Sequence, residues 1–130
     1  MNQRIAQITL LVNDYDEAIT FYTDKLNFIV IEDTVLNKTK RWVRIAPTGS
    51  KEFCLLLAKA DTDEQKSRIG NQTGGRVFLF LYTDNFWRDY KTMKAKEILF
   101  IREPAEEKWG TVAVFTDLYG NLWDIIEPKN

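Results

Sequence analysis

The sequence predicts an α+β fold of two βαβββ modules, residues 1–60 and 75–130, joined by a linker at 61–74. Their strands are expected to form a curved mixed sheet around a cleft, within a single domain spanning 1–130. Three observations carry this. A strand-like run ending in a turn residue and a helix occurs twice, first at Ile8–Asp14 and again at Val77–Asn85. Further strand-like runs follow each helix. A polar stretch, Ala60 to Gly75, separates the two halves.

Residues 4–13 alternate in polarity and are rich in β-formers, so they read as a strand. Asp14 is placed to cap a helix, and Glu17 stands three residues later, where a capping box needs it. Tyr15, Ala18, Ile19, Tyr22 and Leu26 recur at helical spacing and define one apolar face, on which Phe21 and Tyr22 pack under the sheet. Asn27 is suited to end that helix. Strands are expected at 28–36, 41–47 and 52–59, with turns at Asn37–Lys40 and Thr48–Lys51. The third run, apolar on both faces, reads as a central strand.

In the second half, residues 76–83 read as a strand and Asp84 or Asn85 as the next helix cap. Phe86, Tyr90, Met93 and Trp87 are the candidates for its inner face. Strands follow at 98–102, 110–116 and 121–127. Leu118-Tyr119-Gly120-Asn121 is the hairpin between the last two, with Gly120 supplying a positive φ. The acidic run Glu103–Lys108 reads as a solvated loop, with a lid beside Trp109 as the alternative.

With 130 residues, 45% of them apolar, the chain can build one ordinary core. A net charge of −1 and no basic cluster argue against nucleic acid as a partner. No apolar run reaches the ~20 residues that span a bilayer, and Met1–Ile5 lacks the apolar segment of a signal peptide. The single cysteine, Cys54, has no internal partner, which fits a reducing, cytoplasmic setting. There is no histidine, so Cys54 lacks the usual activating base.

The C-terminal pattern Asp117-Leu118-Tyr119-Gly120-Asn121-Leu122-Trp123-Asp124 is the most specific stretch. Together with Ile8–Val12, Asp14, Ala18, Phe21-Tyr22, Leu26, Pro104, Trp109-Gly110 and Phe115, it resembles the vicinal oxygen chelate superfamily, the glyoxalase, bleomycin-resistance and extradiol-dioxygenase fold. Leu118 stands where that family usually has proline. The resemblance covers nearly the whole chain and implies βαβββ repeats and a tendency to dimerise. It also implies four inward strand positions that hold the metal in family enzymes. Transferred residue by residue, these fall on Gln7, on Cys54 or alternatively Leu56, on Phe78 and on Asp124. One carboxylate and one amide are a poor set for a divalent ion, so neither a metal nor another cofactor is expected.

Gln7 is read either as a polar strand residue bonding a neighbour or as an amide that orients a ligand. Asp124 is read either as the ion-pair partner of an arginine or, if desolvated, as a catalytic proton acceptor. Arg44 and Arg76 are the arginines considered, each able to clamp an anion or to lie in solvent. Trp42, Phe78, Phe80, Tyr82 and Trp109 offer surface for stacking a planar ligand, or plain core. Cys54 completes the ligand-binding candidates as a small buried side chain.

The expected function is that of a metal-free small-molecule-binding protein that sequesters an antibiotic or toxic compound. Two alternatives stay open: a glyoxalase-like lyase or isomerase, or dioxygenase-related enzyme, using Asp124; and a dimeric non-catalytic module. The expected partners are a small-molecule ligand and a second copy of the chain in a homodimer, with neither nucleic acid nor membrane.

Overall fold

A computed structural model describes residues 1–50 and 52–130. The chain divides into two compact units, Met1–Ile69 and Gly70–Asn130. Each is a four-stranded mixed sheet with a long helix, in the order strand, helix, then three strands.

In the first unit β1 (Gln7–Val12), α1 (Tyr15–Leu26), β2 (Phe28–Val35), β3 (Arg41–Pro47) and β4 (Cys54–Lys59) form a sheet of order β1-β4-β3-β2. β4 is internal, as its two apolar faces suggested. It runs parallel to β1 and antiparallel to β3. Asp14 caps α1 by accepting from the Glu17 N–H at 2.9 Å, satisfying one of the orphan donors of the first turn. Asn27 closes it in the left-handed region at φ 58°, where asparagine is tolerated better than most residues. Tyr15, Ala18 and Tyr22 on α1 are buried, with Leu10, Val12, Val43, Ile45, Leu55 and Leu57 of the sheet. Arg41 ties these parts together. Its guanidinium donates to Asp33 at 2.6 Å and to Asp16 on α1 at 2.9 Å, and it lies over the Tyr15 ring. Asp33, then Asp16, hold that guanidinium still more firmly in its charged form than usual.

The turn expected at Thr48–Lys51 includes Lys51, which lies outside the described residues. The stretch expected to be a plain linker contains a short helix, α2 (Asp63–Ser67), begun by a capping box in which Thr62 and Gln65 bond reciprocally. Thr62 and Gln65 stand at the spacing that motif requires.

In the second unit β5 (Leu79–Tyr82), α3 (Phe86–Ala95), β6 (Phe100–Glu107), β7 (Gly110–Thr116) and β8 (Leu122–Pro128) form a sheet of order β5-β8-β7-β6. Asn85 is the cap of α3, accepting from the Arg88 N–H. The Glu127 carboxylate accepts from the Phe86 N–H at 2.7 Å, adding negative charge at the helix N-terminus. Phe86 and Met93 are buried, while Trp87 points outward. Phe100, Phe115 and Trp123 form an aromatic ladder on the helix-covered face, Phe115 and Trp123 being stacked at 5.8 Å.

Two expectations need correction here. Residues 103–107, read as a solvated loop, belong to β6 and pair with β7. The charges misled because β6 is an edge strand, where charge and the bulge-tolerated Pro104 are acceptable. Residues 76–78, read as strand, precede β5.

The C-terminal motif explains the β7–β8 hairpin. Buried Asp117 accepts from the Tyr119 N–H and the Asn121 N–H, both at 2.9 Å, and from the Asn121 side-chain amide at 2.8 Å. Gly120 makes the turn at φ 100°. Gly70 abuts this hairpin so closely that a Cβ there would fall 1.9 Å from the Tyr119 carbonyl oxygen.

Phe115 is fully buried, so Phe115→Ala is expected to lower the unfolding free energy by about 3–5 kcal/mol through lost transfer energy and a cavity. Urea denaturation checks this, and a loss under about 1 kcal/mol would place the core elsewhere.

Candidate functional site

One long helix covers one face of each sheet, and the strands alternate, so every second residue stands on the opposite, open face. In the first unit Val43 and Ile45 point to the helix side and Trp42 and Arg44 to the open side. Cross-strand partners share a face, so the open face also carries Gln7 and Thr9, Cys54 and Leu56, and Glu32. A polar chain crosses it. The Arg44 Nε–H donates to Glu32 at 3.0 Å, Arg44 Nη1 donates to the Cys54 sulfur at 3.7 Å, and the Cys54 thiol reaches Gln7 Oε1 at 3.7 Å. Gln7 therefore bonds a neighbour, and buried Cys54 is part of a polar contact rather than merely an apolar filler. Cys54, then Glu32, raise the Arg44 pKa further, so Arg44 is a fixed cation.

In the second unit the open face carries Phe80 and Tyr82, Asp124, Val114 and Arg102. Phe80 lies directly across from Asp124 and is 60% exposed, with Tyr82 at 67%. Asp124 is half-buried. Desolvation raises its pKa, and the positive field of Arg102 partly offsets the rise.

The equivalent registers of the two units bear on the four positions implied by the family. Ile8 faces Leu55 as Leu79 faces Trp123, which makes Phe78 the counterpart of Gln7 and Leu56 the counterpart of Asp124. Leu56 thus fits the second position better than Cys54. Gln7, Leu56, Phe78 and Asp124 supply one carboxylate and one amide, and this set does not fit a divalent ion. Among the described residues no group of three or more His, Cys, Asp or Glu side chains is arranged to hold a metal.

The structure separates other candidates from these faces. Arg76 is exposed and precedes β5, so it has no register with the sheet. Phe78 also lies just outside β5, although its N–H donates to the Leu122 carbonyl at 2.8 Å. Trp109, 54% exposed, occupies the β6–β7 turn. Gly110, beside it, is four residues from the Asp124 partner Val114, about 13 Å along the strand.

Arg102 and Glu32 were missed for one physical reason. Val30 pairs with Ile45 but Glu32 with Arg44, and Phe100 pairs with Phe115 but Arg102 with Val114. One extra residue just before each charge, Ile31 or Ile101, turns the next side chain to the other face. Simple alternation would have put both charges on the helix side. Phe80 and Tyr82, read from the sequence as stacking surface or plain core, are exposed on this open face.

A model of the Glyoxalase/Bleomycin resistance protein/Dioxygenase superfamily matches residues 4–125. The chain belongs to this superfamily. It is 59% identical over 128 residues to an uncharacterized protein of Shewanella frigidimarina (strain NCIMB 400), covering 98% of this chain and 95% of that protein. Among solved structures, UcmS2 superimposes with a TM-score of 0.85 at 28% identity, covering 98% of this chain and 99% of that one. TnmS3, described as an antibiotic binding protein from Streptomyces sp. CB03234, superimposes with a TM-score of 0.79 at 23% identity over 98% of each chain. This last likeness shows the fold alone. No helix among the described residues is long and apolar enough to cross a membrane.

The raised Asp124 pKa sets the sign of a pH effect. The folded chain holds this proton more tightly than the unfolded chain does, so the protonated form favours folding. That contribution is complete below the ordinary aspartate pKa and is lost as pH rises through the raised value. Asp124→Asn is therefore expected to gain stability relative to the natural chain as pH climbs through that window, read by urea unfolding at several pH values. Arg102→Gln is expected to move the Asp124 midpoint upward in a carboxyl-carbon NMR titration; a downward move would refute the assigned field.

Proposed function

We propose that this protein holds a small planar or hydrophobic compound without breaking a bond in it, and does so without a metal. The observation that supports this most directly is the composition of the open faces. Phe80 and Tyr82 expose aromatic surface beside Asp124, and Trp42 stands beside Arg44. Aromatic surface with a few placed polar groups is the usual make-up of a ligand site. The positions that carry the metal in family enzymes hold a leucine and a phenylalanine at two of four places. An antibiotic as ligand class rests on the shared fold with TnmS3, a protein described as binding one; fold alone does not fix function. The chain acts as a homodimer in the cytoplasm in this reading, its lone cysteine fitting a reducing compartment.

A second reading is favoured by one observation, the raised proton affinity of half-buried Asp124. In that reading the carboxylate takes a proton from a carbon beside a carbonyl, and an arginine on the same face stabilises the enolate. Asp124→Asn separates the two. A holder loses affinity for its compound, whereas an enzyme loses turnover and keeps binding.

Protein purified without chelators is expected to carry no stoichiometric manganese, iron, nickel or zinc by elemental analysis. About one equivalent per chain, resistant to dialysis, would overturn the metal-free reading. A thermal-shift screen is expected to find compounds that stabilise the chain, by roughly 2.7 kcal/mol at 100 times the dissociation constant. The Asp124→Asn chain should give smaller shifts with the same compounds while its own melting temperature does not fall below that of the natural protein.

A further inference from the structure

We infer that the open face of the first unit recognises an aromatic carboxylate, with the acid group on Arg44 and the ring on Trp42 and Leu56. This rests on the small-molecule reading above and names the chemistry of the compound held. Arg44 and Trp42 stand two residues apart on β3 and share the side opposite buried Val43 and Ile45. Leu56 lies directly across from Arg44 on β4, half-buried and on the same side. The three side chains thus place a cation at the edge of an apolar, partly aromatic strip.

The guanidinium is pre-oriented and only partly used. Glu32 takes the Nε–H and the Cys54 sulfur faces Nη1. A guanidinium has five N–H donors, so among the described residues three have no protein partner. The donors left over are on the two terminal nitrogens, one on Nη1 and both on Nη2, the pair of atoms from which an arginine binds a carboxylate in a fork. The Arg44 side chain keeps 31% exposure, enough to be reached and little enough to be partly desolvated. Glu32 fixes the plane of the guanidinium and offsets part of its charge, which favours a singly charged acid over a dianion such as a phosphate monoester. Trp42 supplies a flat, polarisable face for the ring.

The test uses two probes of equal size, 2-naphthoate and the neutral 2-naphthamide, titrated calorimetrically into the full chain. The acid is expected to bind about tenfold more tightly than the amide, a typical return for a charged hydrogen bond. Arg44→Gln should bring the two affinities together by weakening the acid alone, and Arg44→Lys should keep a reduced preference. Trp42→Ala should weaken both probes equally. Melting temperatures of the variants, read alongside, establish that each is folded. Equal binding of acid and amide by the natural chain overturns this inference and leaves the small-molecule reading standing. A preference for the acid that survives Arg44→Gln but disappears in Arg102→Gln also overturns it, moving the anion to the second unit. Saturable binding of neither probe overturns the inference and counts against the broader reading as well.

Discussion

One extra residue ahead of a charge in each outer strand decides what the open faces present. Ile31 in β2 and Ile101 in β6 interrupt the pairing with β3 and β7, and a single inserted residue turns the side chain that follows it over. Because of Ile31, Glu32 stands beside Arg44 and makes its ion pair. Because of Ile101, Arg102 joins the row that crosses Val114, Asp124 and Phe80. Without those insertions both charges would be turned toward the helix-covered face, where an unpaired charge is costly. The electrostatics of both candidate faces therefore depend on the irregularity that precedes each charge, and β6 carries a further one between Arg102 and Ala105.

The rest of each unit serves to hold those faces rigid from behind. A helix needs a buried stripe and a sheet a buried face, and each satisfies the other. In the first unit Tyr22, Leu10, Val43, Ile45 and Leu57 are buried on the helix-covered side. In the second the Phe100, Phe115 and Trp123 ladder does the same with Phe86. Behind Asp124 stands the Asp117–Asn121 network, whose three hydrogen bonds fix the hairpin from which β8 departs. The motif that most strongly marks the family is thus largely a turn-building device. Of its residues on β8, Leu122 and Asp124 share the open face, and Trp123 between them is buried on the other.

That division explains how a chain can belong to the superfamily and yet lack the residues of its metal chemistry. The turn, caps and core alternation are demanded by the fold. The four inward positions are not, because a strand accepts glutamine, leucine or phenylalanine there as readily as a ligand. Cys54 has been drawn into contacts with both Arg44 and Gln7, and Phe80 stands directly across from Asp124. The chemistry such faces offer is shape, stacking and a few charges.

The amino-acid sequence by itself determined the order of the strands and the two long helices, the cap of the first helix, the central place of β4 and the hairpin at Gly120. Each of these is written in local periodicity or in a residue with a particular turn preference, and needs no distant partner to be specified. The sequence also determined that Asp124 and Gln7 would stand on sheet strands. Tertiary structure alone decided that β6 runs through Glu107, that Arg76 and Trp109 lie away from the open faces, and that Arg102 rather than Arg44 or Arg76 acts on Asp124. Those outcomes depend on which residue of a neighbouring strand lies opposite. Cross-strand register, once a bulge has shifted it, is a property of two strands together and leaves no trace in the alternation of either one.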